Sequence, residues 1–570
     1  MFKFLRWILI VTVLLLGYMA ALALVFFPYA WIGVVVILIW LGRNSRPRST
    51  AHGTARWAEP SDIPQMLEGN GLIVGHMAGG ITRWAGTMAL FDARLPAPDA
   101  CRKFLLAFRA KQPNVLVRLT QAVHTAVFAP TGTGKGVSCV IPFVMSNPDS
   151  MVIYDVKGEI YKLTANARRK MGHRVVVVDP YRIVTQEPDT YNPMQNMDEH
   201  SETCLDDIRD LAEALVVRTG QEKEPHWTDS AEVWIAAMIA VVVCFAEGED
   251  KSLQSVRTLL TNPKKMQDAI KVMCESDALD GMLARLGHQL AQFKDKELSS
   301  TLTTTNRFLR FLDTTAIAES TGTSSFNPAD LRTKKVTVYL VLPPDRMRAQ
   351  TALVRMWISS MLRAVVRGGL QNTVKVHFVL DEAASLGHLE CLDDAVDKLR
   401  GYGVRLLFFF QSVAQLRKVF PDGQDQNLLS NVTQVFFAVN DQQTAEYVSA
   451  RLGESTIVTS SGGTSSGTSQ QSSPQGGSSG YSTNDTRNWQ FMGRKLLKPE
   501  EVTCLPERVA ITFVPGVPPI ATRLIRYYEG DFWNQRPMGP IKAAFEAAWL
   551  FIPAAFLALA FTVAALSHTP

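Results

Sequence analysis

The sequence has few cysteines, and their spacing pairs none of them. The seven cysteines are odd in number and scattered, with no C-x-x-C pair. This pattern argues against a disulfide framework or a zinc site and favours a reducing compartment for most of the chain. The seven are Cys101, Cys139, Cys204, Cys244, Cys274, Cys391 and Cys504.

The chain also lacks a large excess of charge of either sign. Its formal net charge is only +5, so total charge is no argument for nucleic-acid binding, which would need a local basic surface. With 570 residues the chain is too long for a single hydrophobic core, and this length predicts about three to four globular units.

Charge is absent from residues 7–42, which lie between basic flanks such as Lys3 and Arg43. One helix of that length would measure about 54 Å, well beyond an apolar bilayer core of about 30 Å. Pro28 interrupts the run, and basic residues on both sides favour two cytoplasmic ends. We therefore predict a transmembrane hairpin over residues 1–42. The alternatives are one tilted span or a signal peptide, although no cleavage site follows the first apolar stretch.

A second charge-free stretch, residues 547–566, lies near the end of the chain. It is about as long as a bilayer-spanning helix. Lys542 precedes it and the tail after it carries no Lys or Arg, which favours a periplasmic end. We predict a third transmembrane helix over residues 545–567. The alternative is an apolar helix docked on the protein or on a partner.

From about residue 120, short β-branched runs alternate with helical stretches, which predicts an α/β fold with a parallel sheet. Between about 195 and 325 only helical spacing is found, which predicts an inserted all-α domain. The candidate strands are 125–128, 151–155, 174–179, 336–342, 376–380, 405–410 and 435–439, with 509–514 and 522–528 closing the domain.

Residues 459–485 are rich in Ser, Gly, Thr and Gln, with almost no apolar side chains. Such a stretch buries too little surface to offset its chain entropy, so a flexible linker is predicted there. The predicted organisation is the hairpin 1–42, a nucleotide-binding domain in two parts (43–194 and 326–540), the all-α domain 195–325 between them, and the helix 545–567.

The most informative motif is Ala129-Pro-Thr-Gly-Thr-Gly-Lys-Gly136, between a predicted strand and a helical run. In such a turn, backbone N–H groups and the helix dipole bind phosphate, and Lys135 would reach the β- and γ-phosphates. Two positions depart from the usual P-loop. Ala129 replaces the first glycine, and Gly136 replaces the Ser or Thr that binds magnesium. The residues expected to contact ATP are Thr131, Gly132, Thr133, Gly134, Lys135, Gly136 and Val137.

The predicted strand 376–380 ends in Asp381 and Glu382. At the carboxyl end of a sheet strand, Asp381 is expected to hold Mg²⁺, largely through water, while Glu382 polarises the attacking water. A surface acidic pair is the alternative, but the P-loop upstream favours nucleotide hydrolysis.

Two further residues complete the candidate site. Gln411 follows the strand 405–410 and would orient water or sense the γ-phosphate, unless it belongs to a helix N-cap region. Arg400 precedes that strand and would stabilise transition-state charge on a neighbouring subunit's γ-phosphate. A solvated loop arginine is the commoner case.

These motifs, in this order, resemble the coupling ATPases of type IV secretion and conjugation, the TraG-type conjugative DNA transfer proteins. The residues that carry the resemblance are 52–58, 129–137, 155–159, 324–328, 380–383, 400–403, 411–416, 493–501 and 516–520. One departure concerns the small periplasmic domain that many members carry between their first two spans, for which this chain has no room.

The resemblance implies a RecA-like P-loop motor that forms a homo-hexamer at the bacterial inner membrane, multi-pass, with its motor domain cytoplasmic. It also implies ATP and Mg²⁺ as cofactors, Lys135 as phosphate ligand, Asp381 and Glu382 serving metal and water, Arg400 as a trans arginine finger, and Gln411 as the motif glutamine. The partners implied are a relaxase with single-stranded DNA, or effector proteins, together with channel components and the lipid bilayer.

Two other functions stay open at the level of sequence. A membrane-anchored double-stranded DNA translocase would share the motor motifs, but no compact C-terminal DNA-reading domain is visible. A recruitment platform that binds cargo without hydrolysis is favoured by Ala129 and Gly136, whereas the retained Lys135, Asp381 and Glu382 argue against it.

Overall fold

The computed structural model describes residues 50–77, 116–218, 224–371, 373–420, 423–471 and 478–529. These residues form two compact units. The smaller contains residues 50–55, 453–471 and 478–496, and the larger contains the other described residues. The predicted membrane segments 1–42 and 545–567 lie outside the described residues and stay predictions.

The larger unit is built on an eleven-stranded mixed sheet with the order β2-β1-β13-β12-β9-β3-β8-β7-β4-β6-β5. The seven strands from β9 to β5 are parallel. In chain order the strands of both units are β1 (Leu72–Met77), β2 (Leu116–Leu119), β3 (Thr125–Phe128), β4 (Ser150–Asp155), β5 (Arg174–Val178), β6 (Val336–Val341), β7 (Val376–Leu380), β8 (Val404–Phe410), β9 (Thr433–Phe437), β10 (Glu454–Gln471), β11 (Ser478–Lys495), β12 (Val509–Phe513) and β13 (Ile520–Arg523).

The parallel strands agree with the apolar runs of the sequence to within one or two residues. Strands β4, β6 and β7 are buried along their whole length. Such burial is typical of a parallel sheet that has helices on both faces. The α/β fold predicted from the alternating pattern is confirmed.

The sheet continues beyond β9 through four antiparallel strands, β12, β13, β1 and β2. Strands β1 and β2 are not among the candidate strands, because those come from the alternating pattern that starts near residue 120, and β1 and β2 precede it. Gly75, inside β1, is one reason that this strand is hard to predict, because glycine is disfavoured in strands. Its φ is +106°, and a Cβ there would lie 2.1 Å from the carbonyl oxygen of Arg523. Only glycine allows that close approach.

Between β5 and β6 the described residues form helices and no strand. They include α3 (Cys204–Leu215), α4 (Pro225–Phe245), α5 (Leu253–Thr261), α6 (Pro263–Cys274), α7 (Met282–Ala291), α8 (Asp295–Leu309) and α9 (Thr315–Gly322). The two ends of this segment lie side by side. The side-chain amide of Asn192 donates to the carbonyl of Gly322 at 2.9 Å, and Ser324 Oγ accepts the N–H of Asn192 at 3.0 Å.

The remaining helices flank the sheet. They are α1 (Ile141–Ser146), α2 (Glu159–Lys170), α10 (Asp330–Thr333), α11 (Thr351–Arg367), α12 (Glu390–Asp397), α13 (Val413–Val419), α14 (Gln424–Asn431), α15 (Gln442–Leu452) and α16 (Pro499–Thr503). Two short 3₁₀ helices, Ala383–Leu386 and Leu399–Tyr402, lie near strand ends that matter for the site.

Helix α4 is the one helix in the described part of the chain that is long and apolar enough to cross a bilayer. Most of its apolar window, 72%, is buried inside the protein. Trp234, fully buried, packs edge-on against Phe293 at 5.8 Å. Helix α4 is therefore the central helix of the all-α segment.

The smaller unit corrects one prediction. The predicted linker is not irregular at residues 459–471 and 478–485, which lie in the paired strands β10 and β11. The pairing runs from Glu454 opposite Lys495 to Gln471 opposite Ser478. An antiparallel ladder satisfies backbone groups whatever the side chains are, and Thr favours strands. Residues 53–55 pair with the start of β10, since Ala55 donates its N–H to the carbonyl of Glu454 at 3.0 Å. The flexibility of the stretch stays a prediction.

Candidate functional site

The P-loop turn connects β3 with a helix and is anchored on the neighbouring strand. Ala129 donates its N–H to the carbonyl of Phe410, at the end of β8, at 3.1 Å. Thr133 closes the turn by donating its hydroxyl to the carbonyl of Pro130 at 2.8 Å. The turn leads into a π-helical segment, Gly136–Val140, which continues as α1. The first helical N–H groups thus face the space beyond the sheet edge, as an anion site requires.

The backbone shows which P-loop glycines are required. Gly132 and Gly134 have φ values of +83° and +101°, in the region that favours glycine. Ala129 is buried and is not among the residues with positive φ, so no glycine is needed there. A Cβ on Gly136 would meet no atom within 4 Å. Neither departure from the usual motif deforms the turn.

Lys135 lies where the turn meets the helix, as the N-cap residue of the π-helical segment. Its ammonium donates to the carbonyl of Ala129 at 2.6 Å, which folds the side chain back along the loop. Burial lowers the pKa of Lys135, and the carboxylates of Glu382 and Asp381 oppose that shift. The two motifs that the sequence predicted separately therefore share one electrostatic environment.

Asp381 and Glu382 follow β7. A single strand, β8, lies between β7 and β3, the strand that precedes the P-loop. On the other side of β7, β4 ends in Asp155, which accepts the N–H of Tyr161 at 2.8 Å. Burial, followed by the charge of Asp155, raises the pKa of Asp381 to about 6. Asp155 is a member of the site that the sequence analysis quoted only as part of a family motif.

This donor set fits a magnesium ion. Mg²⁺ prefers oxygen ligands and usually binds one or two carboxylates together with substrate phosphates and water. The carboxylate of Asp381 repels that of Asp155, and a cation beside them would relieve the repulsion. No cluster of three or more acidic, His or Cys side chains of metal-binding type occurs in the described ranges, so protein side chains alone do not complete a coordination shell.

Two glutamines after β8 contact the Glu382 carboxylate. The side-chain amides of Gln411 and Gln415 both donate to its Oε1, at 3.4 and 3.3 Å. Gln415 Oε1 also accepts the N–H of Gln411 at 2.7 Å. The helix N-cap is Ser412, whose Oγ accepts the N–H of Gln415. Gln411 therefore lies at the predicted sheet edge, where it donates a hydrogen bond to Glu382. Gln415, which makes the same contact, was not among the predicted site residues.

Arg400 is apart from the other candidate residues. It is exposed, in the 3₁₀ helix before β8, whereas the P-loop follows β3, which runs parallel to β8. The seven residues of β8 span about 23 Å at roughly 3.3 Å per residue. Lys135, Asp381, Glu382 and Gln411 meet at the carboxyl edge of the sheet, and Arg400 lies at the opposite edge.

A P-loop beside an acidic strand end, on a parallel sheet covered by helices, defines a RecA-like α/β P-loop protein. Two solved structures of a coupling protein share this fold at low sequence identity. The bacterial conjugative coupling protein TrwBdeltaN70, in its unbound monoclinic form, matches with a TM-score of 0.54 at 17% identity, over 72% of this chain and 87% of that chain. TrwB in complex with ADP and Mg²⁺ matches with a TM-score of 0.52 at 16% identity, over 71% and 85%.

Residues 93–546 match the family model described as type IV secretory system conjugative DNA transfer, and the chain belongs to this family. It is 28% identical to the protein VirD4 of Rhizobium radiobacter over 84% of this chain, and spans 64% of that relative's length. It is 26% identical to the conjugal transfer protein TraG of Escherichia coli over 89% of this chain and 81% of that relative.

Proposed function

We propose that this protein is a type IV secretion coupling protein, an inner-membrane hexameric ATPase that recruits a relaxase–DNA complex or effector proteins and drives them through the secretion channel. The observation that carries the proposal is the joining of Lys135 with Asp381 and Glu382 at one sheet edge, in a chain of this family. The relatives named for conjugal transfer and the TrwB complex with ADP and Mg²⁺ support it.

Each residue of the site has a role that follows from its position. Residues 131–137 cradle the phosphates of ATP, with Lys135 on the β- and γ-phosphates. Asp381, next to Asp155, would hold Mg²⁺, which supplies charge neutralisation on the phosphates. Glu382 orients and polarises the attacking water, and the amides of Gln411 and Gln415 fix its carboxylate in place.

The rival function is a platform that binds cargo without hydrolysis, and it is favoured by Ala129 and Gly136, which depart from the usual motif. Ala129 leaves the turn unaltered, whereas Gly136 supplies no hydroxyl for Mg²⁺, so the case for hydrolysis rests on the retained Lys135, Asp381 and Glu382. The helices between β5 and β6 are the part of the larger unit proposed to meet the cargo. Hydrogen bonds join the two ends of this helical segment, so the chain leaves and re-enters the rest of the larger unit at one place.

The decisive experiment compares Lys135→Ala with Glu382→Gln in the purified full-length protein. The first should weaken ATP binding, and the second should retain binding while hydrolysis falls by about a hundredfold or more. Glu446→Gln, an exposed carboxylate on α15, is the matched control and should hydrolyse ATP normally. Wild-type turnover by Glu382→Gln would refute the assignment of the water-activating carboxylate.

The cargo is tested in the same assay with and without single-stranded DNA. Stimulation of ATP turnover by single-stranded DNA supports transport of nucleic acid, as conjugation requires. Turnover that DNA leaves unchanged supports export of protein alone.

A further inference from the structure

The chain that follows β13 crosses the start of the P-loop helix. Tyr527 donates its N–H to the carbonyl of Val137 at 3.1 Å. The guanidinium of the preceding residue, Arg526, lies over the glycine-rich turn, and a Cβ added to Gly134 would be 3.9 Å from its Nη2. A cation from a distant part of the sequence therefore lies beside the phosphate cradle.

The position of this guanidinium is fixed by its own neighbours. Arg526 Nη1 donates to the hydroxyl of Tyr528 at 2.8 Å, and the N–H of Arg526 donates to Glu529 Oε2 at 3.2 Å. Glu529 is in turn bonded to Arg508 at 2.6 Å, which lowers the pKa of the Glu529 carboxyl. Within the part of the chain that the structure describes, Arg526 Nη2 has no hydrogen-bond acceptor, so it is available to a ligand oxygen.

We propose that Arg526 is a nucleotide-binding residue that donates to the α- and β-phosphates in the same subunit, and that Tyr528 positions it. This inference rests on the proposed function only in taking a nucleoside triphosphate as the ligand. Arginine is suited to this task because its planar fork bonds two phosphate oxygens at once and stays charged.

The location distinguishes the α- and β-phosphates from the γ-phosphate. In a P-loop the turn and the first helical N–H groups cradle the α- and β-phosphates, while the lysine and the acidic strand end face the γ-phosphate. Arg526 Nη2 lies near Gly134, and the next residue, Tyr527, donates to the carbonyl of Val137, so this segment lies beside the turn and the start of the helix. Both ATP and ADP carry the phosphates it would contact, so both should depend on it.

The test measures the dissociation constants of fluorescent ATP and ADP analogues for the full-length protein with Mg²⁺. Arg526→Ala should raise both constants by about tenfold or more, and by similar factors. Arg526→Lys should recover part of the loss. Arg523→Ala, an exposed arginine on β13 three positions earlier, is the matched control and should bind both nucleotides normally.

A purely structural role for Arg526 would give a different pattern. Tyr528→Phe removes only the hydroxyl that accepts from Arg526, so it should raise both constants by about threefold without changing the nucleotide-free melting temperature. Wild-type affinity in Arg526→Ala, or a loss confined to ATP, would overturn the proposal. If Lys135→Ala also binds normally, the proposed function fails. Loss in Lys135→Ala with normal binding in Arg526→Ala refutes only this inference.

Discussion

The charged form of the Asp381 carboxyl group is unfavourable when no ligand is bound. Its carboxyl group is buried at the end of β7, and its pKa is raised to about 6 by burial, then by the charge of Asp155. Because the pKa is higher in the folded protein than in the unfolded chain, the folded state holds the neutral acid better than the charged form. The ionised site is therefore prepared to accept a cation.

This charge predicts the pH dependence of an Asp381→Asn variant. Folded-state stability from a raised pKa is fully present below the unfolded value near 4 and is lost as the pH rises through about 6. Without nucleotide and Mg²⁺, Asp381→Asn should therefore be more stable than wild type at pH 8, by about 3 kcal/mol. The difference should vanish near pH 4. Urea denaturation across this range measures it, and a constant difference would contradict the burial of the charge.

At the scale of elements, one buried arginine on α11 connects the all-α segment to the 3₁₀ helix that follows β7. Arg355, 2% exposed, donates from Nε to the carbonyl of Ala214 at the end of α3, at 3.1 Å. Its Nη1 donates to the carbonyl of Leu386 at 3.0 Å, in the 3₁₀ helix that begins directly after Glu382. One side chain thus hydrogen-bonds both the end of α3 and the 3₁₀ helix that follows Glu382.

The same bonds predict the effect of Arg355→Met, which keeps most of the volume and removes every donor. Buried carbonyls of α3 and of the 3₁₀ helix would lose their partner, so the free energy of unfolding should fall by about 2–3 kcal/mol. Arg348→Met, an exposed arginine three residues before α11, is the control and should change it by less than about 0.5 kcal/mol. Chemical denaturation measures both, and equal stability of the two variants would contradict the bridging role.

At the scale of the whole molecule, the sheet separates Arg400 from the P-loop of its own subunit. The two lie at opposite ends of neighbouring parallel strands, β8 and β3, so Arg400 cannot reach the P-loop turn of the same chain. An arginine at this edge can act on phosphate only across a subunit boundary. The geometry is consistent with a trans finger in the proposed hexamer, whose head-to-tail interfaces close into a ring.

Mixing two inactive variants tests that arrangement. Arg400→Ala subunits have an intact P-loop, and Lys135→Ala subunits have an intact finger. In an equal mixture about one quarter of the interfaces pair both intact parts, so hydrolysis should return toward about one quarter of the wild-type rate. Each variant alone is the inactive control, and co-purification through two tags shows assembly. Co-assembled rings without recovered turnover would exclude the trans role.

Features that neighbouring residues in the chain determine could be predicted from the sequence, whereas features that depend on distant residues could not. The P-loop and the acidic strand end are contiguous motifs, and their neighbouring strands were located because buried parallel strands are continuous apolar runs. Strands β1 and β2 were not predicted because they belong to the antiparallel part of the sheet and precede the alternating pattern that starts near residue 120. The Ser- and Gly-rich residues 459–485 were assigned to a linker from side-chain polarity, whereas β10 and β11 are joined by backbone hydrogen bonds.

The sequence by itself determined the conformation of the P-loop turn, because the strand, the glycines and the start of the helix are adjacent in the chain and shape one another locally. It also determined that Asp381 and Glu382 end a buried strand. Only the tertiary structure decided that a single strand, β8, separates the two motifs, that Gln415 joins Gln411 at the Glu382 carboxylate, and that Arg526 lies beside Gly134. These contacts join residues far apart in the chain, and strand order, which no local pattern encodes, brings them together.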